Sequence, residues 1–224
     1  MMQLKTPIII VNFKTYREST GKNAVKLARI CDYVAKTTGK NIAIAVSAPD
    51  IFSVKKEVDI PVLAQHVDAK EFGANTGAIL PEAVKEAGAF GTLLNHSEKQ
   101  IPIKTLKQTI DRCKENNLLT VVCAKDDKVS ERIATLKPDY VAMEPPELIG
   151  GKISVSTAHP DLIKKTVEKM EKYQIKTICG AGIHTKQDVS AAIKLGTVGI
   201  LVASGVVKHK DPEKELRDLC SVLS

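Results

Sequence analysis

The chain reads as an α/β protein, a closed (β/α)8 barrel that forms a single domain over residues 1–224. Three observations predict it. Eight short, almost continuously apolar runs recur from end to end, as strands buried on both faces do. Segments of helical periodicity lie between them, the alternation expected of parallel strands joined by crossover helices. No Pro/Gly/Ser-rich linker or low-complexity tract divides the repeat, and no GxGxxG follows the first run, which disfavours a doubly wound open sheet.

In order, the strand runs are PIIIV from Pro7, IAIAV from Ile42, PVLA from Pro61 and GTLL from Gly91. They continue with TVVC from Thr120, YVAM from Tyr140, KTIC from Lys176 and GILV from Gly199. After the first run, Ala24-Val25, Leu27-Ala28, Cys31 and Val34-Ala35 recur at helical spacing, and Gly39 is placed to stop that helix. Val84 and Ala87 fit a short helix beginning near Pro81. Leu106, Ile110 and Cys113 define another that starts near Pro102, since proline suits a first turn. Helices follow over Asp161–Tyr173 and Lys186–Leu195, the latter closed by Gly196. Asp211-Pro212 opens the last, which packs through Leu216, Leu219 and Leu223.

Composition narrows the function classes. The 224 residues suffice for one sizeable core, and barrels are the usual exception to the common domain length. Aromatics make up 4% with no Trp, so there is no stacking platform for single-stranded nucleic acid. The net charge of +7 is spread among acidic neighbours, as in Glu168-Lys169-Met170-Glu171-Lys172, rather than gathered in a block. Neither a nucleic acid nor a membrane is therefore an expected partner. The five cysteines form no CxxC pair and no metal-type spacing, so reduced thiols are expected. MMQLKTPIII lacks a signal-type apolar region, and no run reaches membrane-spanning length; a cytoplasmic protein is the expectation.

In such barrels the site forms at the C-terminal ends of the strands. The polar residues there are Asn12 and Lys14, Gln65-His66, Asn95-His96-Ser97-Glu98, Lys125-Asp126 and Glu144. After runs seven and eight come the side-chain-poor turns Gly180–Gly182 and Ala203–Gly205, where backbone N–H groups can approach an anion. A short helix starting after Ser204 would add its positive end. Glycines also serve tight turns with no ligand, but two such turns at these two strands favour phosphate. His66 and His96 lack a third ligand at metal spacing, so no metal and no cofactor are expected. Lys14, or Lys125, as a Schiff-base former would instead suit an aldolase, and a non-catalytic phosphosugar-binding protein is a third reading.

Asn12-Phe13-Lys14, Asn95-His96-Ser97-Glu98 and Glu144-Pro145-Pro146, in this order along essentially the whole chain, resemble the triosephosphate isomerase family. The EPPELIG and CGAGI forms and the reduced length are similar to its archaeal branch. The resemblance implies a TIM barrel that interconverts glyceraldehyde 3-phosphate and dihydroxyacetone phosphate through an enediolate, in glycolysis and gluconeogenesis. Glu144 would be the base, His96 a neutral imidazole at the carbonyl, and Lys14 a positive charge for enediolate and phosphate. Asn12 would donate nearby, and Glu98 would hold Lys14. Backbone N–H groups of Gly182, Ala203 and Ser204 would bind phosphate, joined by Ile149 or Gly150 when a lid over 144–152 closes.

The chain departs from the family at two points. Cys179-Gly180-Ala181-Gly182 stands where many members have Tyr-Gly-Gly-Ser, so both hydroxyls that latch the lid are absent. Gly151-Lys152 replaces the Thr-Gly more usual in the archaeal form. The segment Gln65–Ala78 resembles a protruding loop that docks into a neighbouring subunit, where Thr76 would brace the neighbour's Asn and Lys. A homodimer or homotetramer follows from that resemblance, and Cys123 matches a buried family cysteine.

Overall fold

Strands that are apolar at every position need cover on both faces, and a closed parallel barrel supplies it. The computed structural model describes residues 3–145, 148 and 154–223. Its strands are β1 (Ile8–Asn12), β2 (Asn41–Val46), β3 (Val62–Ala64), β4 (Gly91–Leu94), β5 (Leu119–Ala124), β6 (Tyr140–Met143), β7 (Lys176–Gly180) and β8 (Gly199–Val202). Each pairs in parallel with the next, and β8 returns to β1 with Ile8 opposite Gly199, closing the barrel. All eight expected runs thus become strands, those from Gly91, Tyr140 and Gly199 unchanged and the others shifted by one residue at one or both ends.

Alternate side chains divide between two cores. Ile8, Ile10, Ala43, Ala45, Leu63, Leu93, Val121, Tyr140, Ala142, Ile178 and Leu201 fill the barrel itself. Their neighbours, such as Ile9, Val11, Ile42 and Ile44, face the surrounding helices. The lower end is plugged: the hydroxyl of Tyr140, 1% exposed, accepts from the Leu4 N–H at 3.3 Å and lies 3.4 Å from the Leu4 carbonyl.

The helices are α1 (Lys22–Thr38), α2 (Ile51–Lys55), α3 (Pro81–Glu86), α4 (Ile103–Glu115) and α5 (Asp127–Ala134). They continue with α6 (Val155–Ala158), α7 (Pro160–Glu171), α8 (Lys186–Lys194), α9 (Ser204–Val207) and α10 (Pro212–Cys220). Gly39 ends α1 in a left-handed conformation, its N–H bonded to the Ala35 carbonyl. Three helices were not expected: α2, α5 and α6. Two are of one turn or little more, too short for a period to show, and α5 carries only Val129, Ile133 and Ala134 as apolar residues. What starts α5 is the Asp126 carboxylate, which accepts from the Val129 N–H at 2.7 Å. Asp126, noted as a strand-end polar residue, is a helix cap.

Two strands begin on glycine because their neighbours lie too close for a side chain. A Cβ at Gly91 would meet the Leu119 carbonyl oxygen at 2.4 Å, and one at Gly199 would meet that of Ile8 at 2.3 Å. Neither obstacle is a movable side-chain tip. Gly91→Ala is expected to lower stability by about 1–3 kcal/mol, from overpacking against fixed backbone. A denaturant midpoint shifted down at unchanged slope would report it; an unshifted midpoint would contradict the steric account.

Candidate active site

The strand ends converge on a small cavity of ≈40 Å³ lined by Asn12, Lys14, His96, Glu144, Gly182, Ala203 and Ser204, among others. Residues from strands at opposite sides of the barrel are thus brought together. Lys14 adopts a left-handed backbone, φ 49°, and two side chains fix it there. Asn12 Oδ1 accepts from the Lys14 N–H at 3.0 Å, and on the other side Gln65 Nε2 donates to the Lys14 carbonyl at 2.9 Å. The Lys14 ammonium, mostly buried, pairs with Glu98 Oε1 at 2.7 Å.

His96 ends β4's connection as the cap of a single 3-10 turn, and its tautomer follows from one bond. The Glu98 N–H donates to His96 Nδ1 at 3.2 Å. A ring nitrogen that accepts an N–H carries no proton, so the neutral ring holds its proton on Nε2. That nitrogen lies 3.8 Å from Glu144 Oε2. Asn95 holds the turn from behind, its side chain donating to the Cys123 carbonyl at 3.0 Å and accepting from the Ile101 N–H at 3.1 Å.

Glu144 leaves β6 with its N–H bonded to the Ala124 carbonyl at 2.8 Å. It is 6% exposed, and Oε2 has no hydrogen-bond partner among the described residues. An unpartnered buried carboxylate oxygen is costly and is a feature of functional sites rather than of packing. Its carbon chain lies against Gly180, where a Cβ would come within 2.6 Å of Glu144 Cγ. Two thiols close in beside it. Burial first, then the Glu144 charge, pushes the Cys123 and Cys179 thiols up from their ordinary range. On its other side Glu144 borders a second hollow with Asn95, Ser97 and the exposed Lys125.

A wider hollow of ≈430 Å³ adjoins the other flank of Lys14 and is lined by Tyr16, Gln65, His66, His96 and Glu98. His66 Nε2 lies 3.2 Å from Asp68 Oδ1. Beyond it the loop is pinched at its base, Asp68 N–H to the Ile79 carbonyl at 2.8 Å and Ile79 N–H to Asp68 Oδ2 at 2.7 Å. Thr76 stands exposed on this loop, outside the cavity, beside Phe72 with 77% exposure. Ile149 and Gly150, expected at the phosphate, lie outside the described residues, as does most of the 144–152 segment. Tyr16 and His184 also line the cavity and were not anticipated. His184 lies two residues past the Gly180–Gly182 turn, a position that polar strand-end scanning stops short of.

Among the described residues no group of three or more His, Cys, Asp or Glu side chains is placed to hold a metal ion, and no helix is long and apolar enough to cross a membrane. The family model for triosephosphate isomerase matches residues 7–222. A triosephosphate isomerase of Methanobacterium bryantii is 50% identical over 219 residues, covering 97% of both chains. That of Methanothermobacter thermautotrophicus is 47% identical over 223 residues, covering 98% of this chain and 97% of the relative. In three dimensions the crystal structure of triosephosphate isomerase from Bartonella henselae matches with a TM-score of 0.79 at 16% identity, over 97% of this chain and 99% of that one.

All five cysteines are free and buried. Burial pushes the Cys113 thiol up to about 12 and the Cys220 thiol up to about 11. The reactive thiolate is thereby suppressed. A disulfide-exchange colorimetric titration is expected to find no fast-reacting thiol in the native protein and all five after denaturation. A fast native thiol would contradict the burial.

Proposed function

The chain belongs to the triosephosphate isomerase family, and from that premise we propose how its residues carry out the reaction. The activity is the interconversion of two triose phosphates, glyceraldehyde 3-phosphate and dihydroxyacetone phosphate. Glu144 takes a proton from the carbon next to the substrate carbonyl, and the neutral Nε2–H of His96 donates to the carbonyl oxygen. Negative charge then accumulates on that oxygen, where the Lys14 ammonium and the Asn12 side chain stabilise it. His96 then passes a proton from the original hydroxyl oxygen to the original carbonyl oxygen while Glu144 returns its proton to the adjacent carbon, so the hydroxyl becomes the new carbonyl and no redox cofactor is needed. Glu98 keeps Lys14 in place, and backbone N–H groups of Gly182, Ala203 and Ser204 hold the phosphate.

The observation that carries this reading is the pairing of one bond with one gap. The Glu98 N–H fixes the His96 proton on Nε2, and the Glu144 oxygen facing it has no partner among the described residues. A carboxylate oxygen turned into the cavity is placed to take a proton from carbon, and a neutral imidazole keeps a donor for the oxyanion. Lys14 is held beside them by its contact with Glu98 at 2.7 Å.

We also read residues 1–224 as one domain acting in the cytoplasm as a homodimer or homotetramer. Support for the oligomer is the exposed loop carrying Phe72 and Thr76, together with the hollow beside Lys14 that a neighbour's loop would fill.

Two experiments test the reading. Glu144→Asp withdraws the carboxylate by one methylene, so turnover is expected to fall by about 100-fold or more, given typical general-base contributions. Inhibition by 2-phosphoglycolate should change little. Near-normal turnover in that variant would remove Glu144 as the base. Deleting residues 73–77 is expected to yield monomers of low activity by light scattering and coupled assay; a fully active monomer would refute the bracing role of Thr76.

A further inference from the structure

The turn after β7 faces the cavity with Ala181, Gly182, Ile183 and His184, and one side chain holds it from behind. Asp188 Oδ2 accepts from the N–H of His184 at 3.2 Å, the N–H of Thr185 at 2.9 Å and the Thr185 hydroxyl at 2.8 Å. Part of this is an ordinary capping box at the start of α8. The rest is not required by any cap. The second carboxylate oxygen, Oδ1, accepts from the Thr157 hydroxyl of α6 at 3.4 Å, and the Asp188 carbonyl accepts from the Ser156 hydroxyl at 3.1 Å.

Ser154 and Ser156, both buried, share a hydrogen bond of 2.9 Å, and Ser154 also reaches the Thr157 hydroxyl at 3.1 Å. From the opposite direction the Val155 N–H donates to the Ala181 carbonyl at 3.2 Å. Five residues of two elements thus close on the loop that forms one wall of the cavity. Burial works against the Asp188 charge, but the hydrogen bonds from Ser154, Thr185 and the backbone outweigh it and hold the carboxyl below its usual range. A fully partnered network of this kind fixes one geometry where a flexible loop would sample several.

We infer that Asp188 is a positioning residue for the phosphate end of the site: it clamps the 181–185 turn and α6 into one block, so that the Gly182 N–H is set before the anion arrives. The inference rests on the proposed binding of phosphate at that turn. Donors preset in this way spare the ordering cost that a loose loop would meet on binding.

The test is Asp188→Asn, which keeps the size and loses the charge and one acceptor. Hydrogen bonds to charged groups are large enough that losing one corresponds to about tenfold or more in affinity. The KM for glyceraldehyde 3-phosphate and the inhibition constant of inorganic phosphate are expected to rise together by about that factor. Turnover should stay within roughly twofold, the pattern of lost uniform binding. Thr157→Val with Ser156→Ala, which spares the capping box, should move both constants the same way by less, and it decides the question if Asp188→Asn does not fold.

Unchanged constants in a folded variant, or a fall in turnover at unchanged KM, would overturn the positioning role. Competition by inorganic phosphate in the unaltered protein is the separate control. Its absence would overturn the phosphate reading itself, whatever the variants do.

Discussion

Closure of the barrel is the constraint from which the remaining features follow. Eight parallel strands must each return by a crossover, so all their C-terminal ends open on the same side. The β8 to β1 pairing completes the circle, and it needs Gly199, because Ile8 backbone occupies the space of any side chain there. Once closed, the ring carries Asn12 of β1 and Glu144 past β6 to one cavity although 132 positions of chain separate them, 144 less 12. No contact local in sequence could bring those groups together.

Closure also sets the electrical character of the mouth. The barrel interior is apolar and tightly filled, so a charge at its rim has protein rather than water on one side. Lys14 meets that condition by pairing with Glu98, whose own side chain remains in solvent. Glu144 meets it differently, with one oxygen that has no partner among the described residues and with its carbon chain resting on Gly180. The two solutions suit the two tasks proposed for them, a fixed charge and a group that takes up and returns a proton.

Much of this was legible in the sequence because its signals were local. The strands showed as continuous apolar runs, and Lys14, His96 and Glu144 showed as polar residues at run ends. What stayed hidden depends on contacts between distant segments. Helix α5 rests on a cap at Asp126 rather than on a long apolar stripe, and α6 is a single turn held by hydroxyls. The tautomer of His96 depends on a backbone N–H two residues on, which composition cannot display. Gly180 looked like a turn residue, whereas its lack of a Cβ makes room for the Glu144 side chain. Asp188 falls inside the helix expected over Lys186–Leu195 with nothing to single it out, and only the fold shows its second oxygen turned toward α6.

The plug of Tyr140 and Leu4 at the lower end has a consequence for traffic. Side chains fill the barrel down to that hydroxyl, so among the described residues the cavity has no route through the ring. Reactant and product must use the same doorway, one after the other. For a reversible rearrangement of one molecule that is sufficient, since nothing else has to be admitted or discharged between arrival and departure. The same geometry makes each triose phosphate an obstacle to the other, so accumulated product slows the forward direction by occupying the shared doorway.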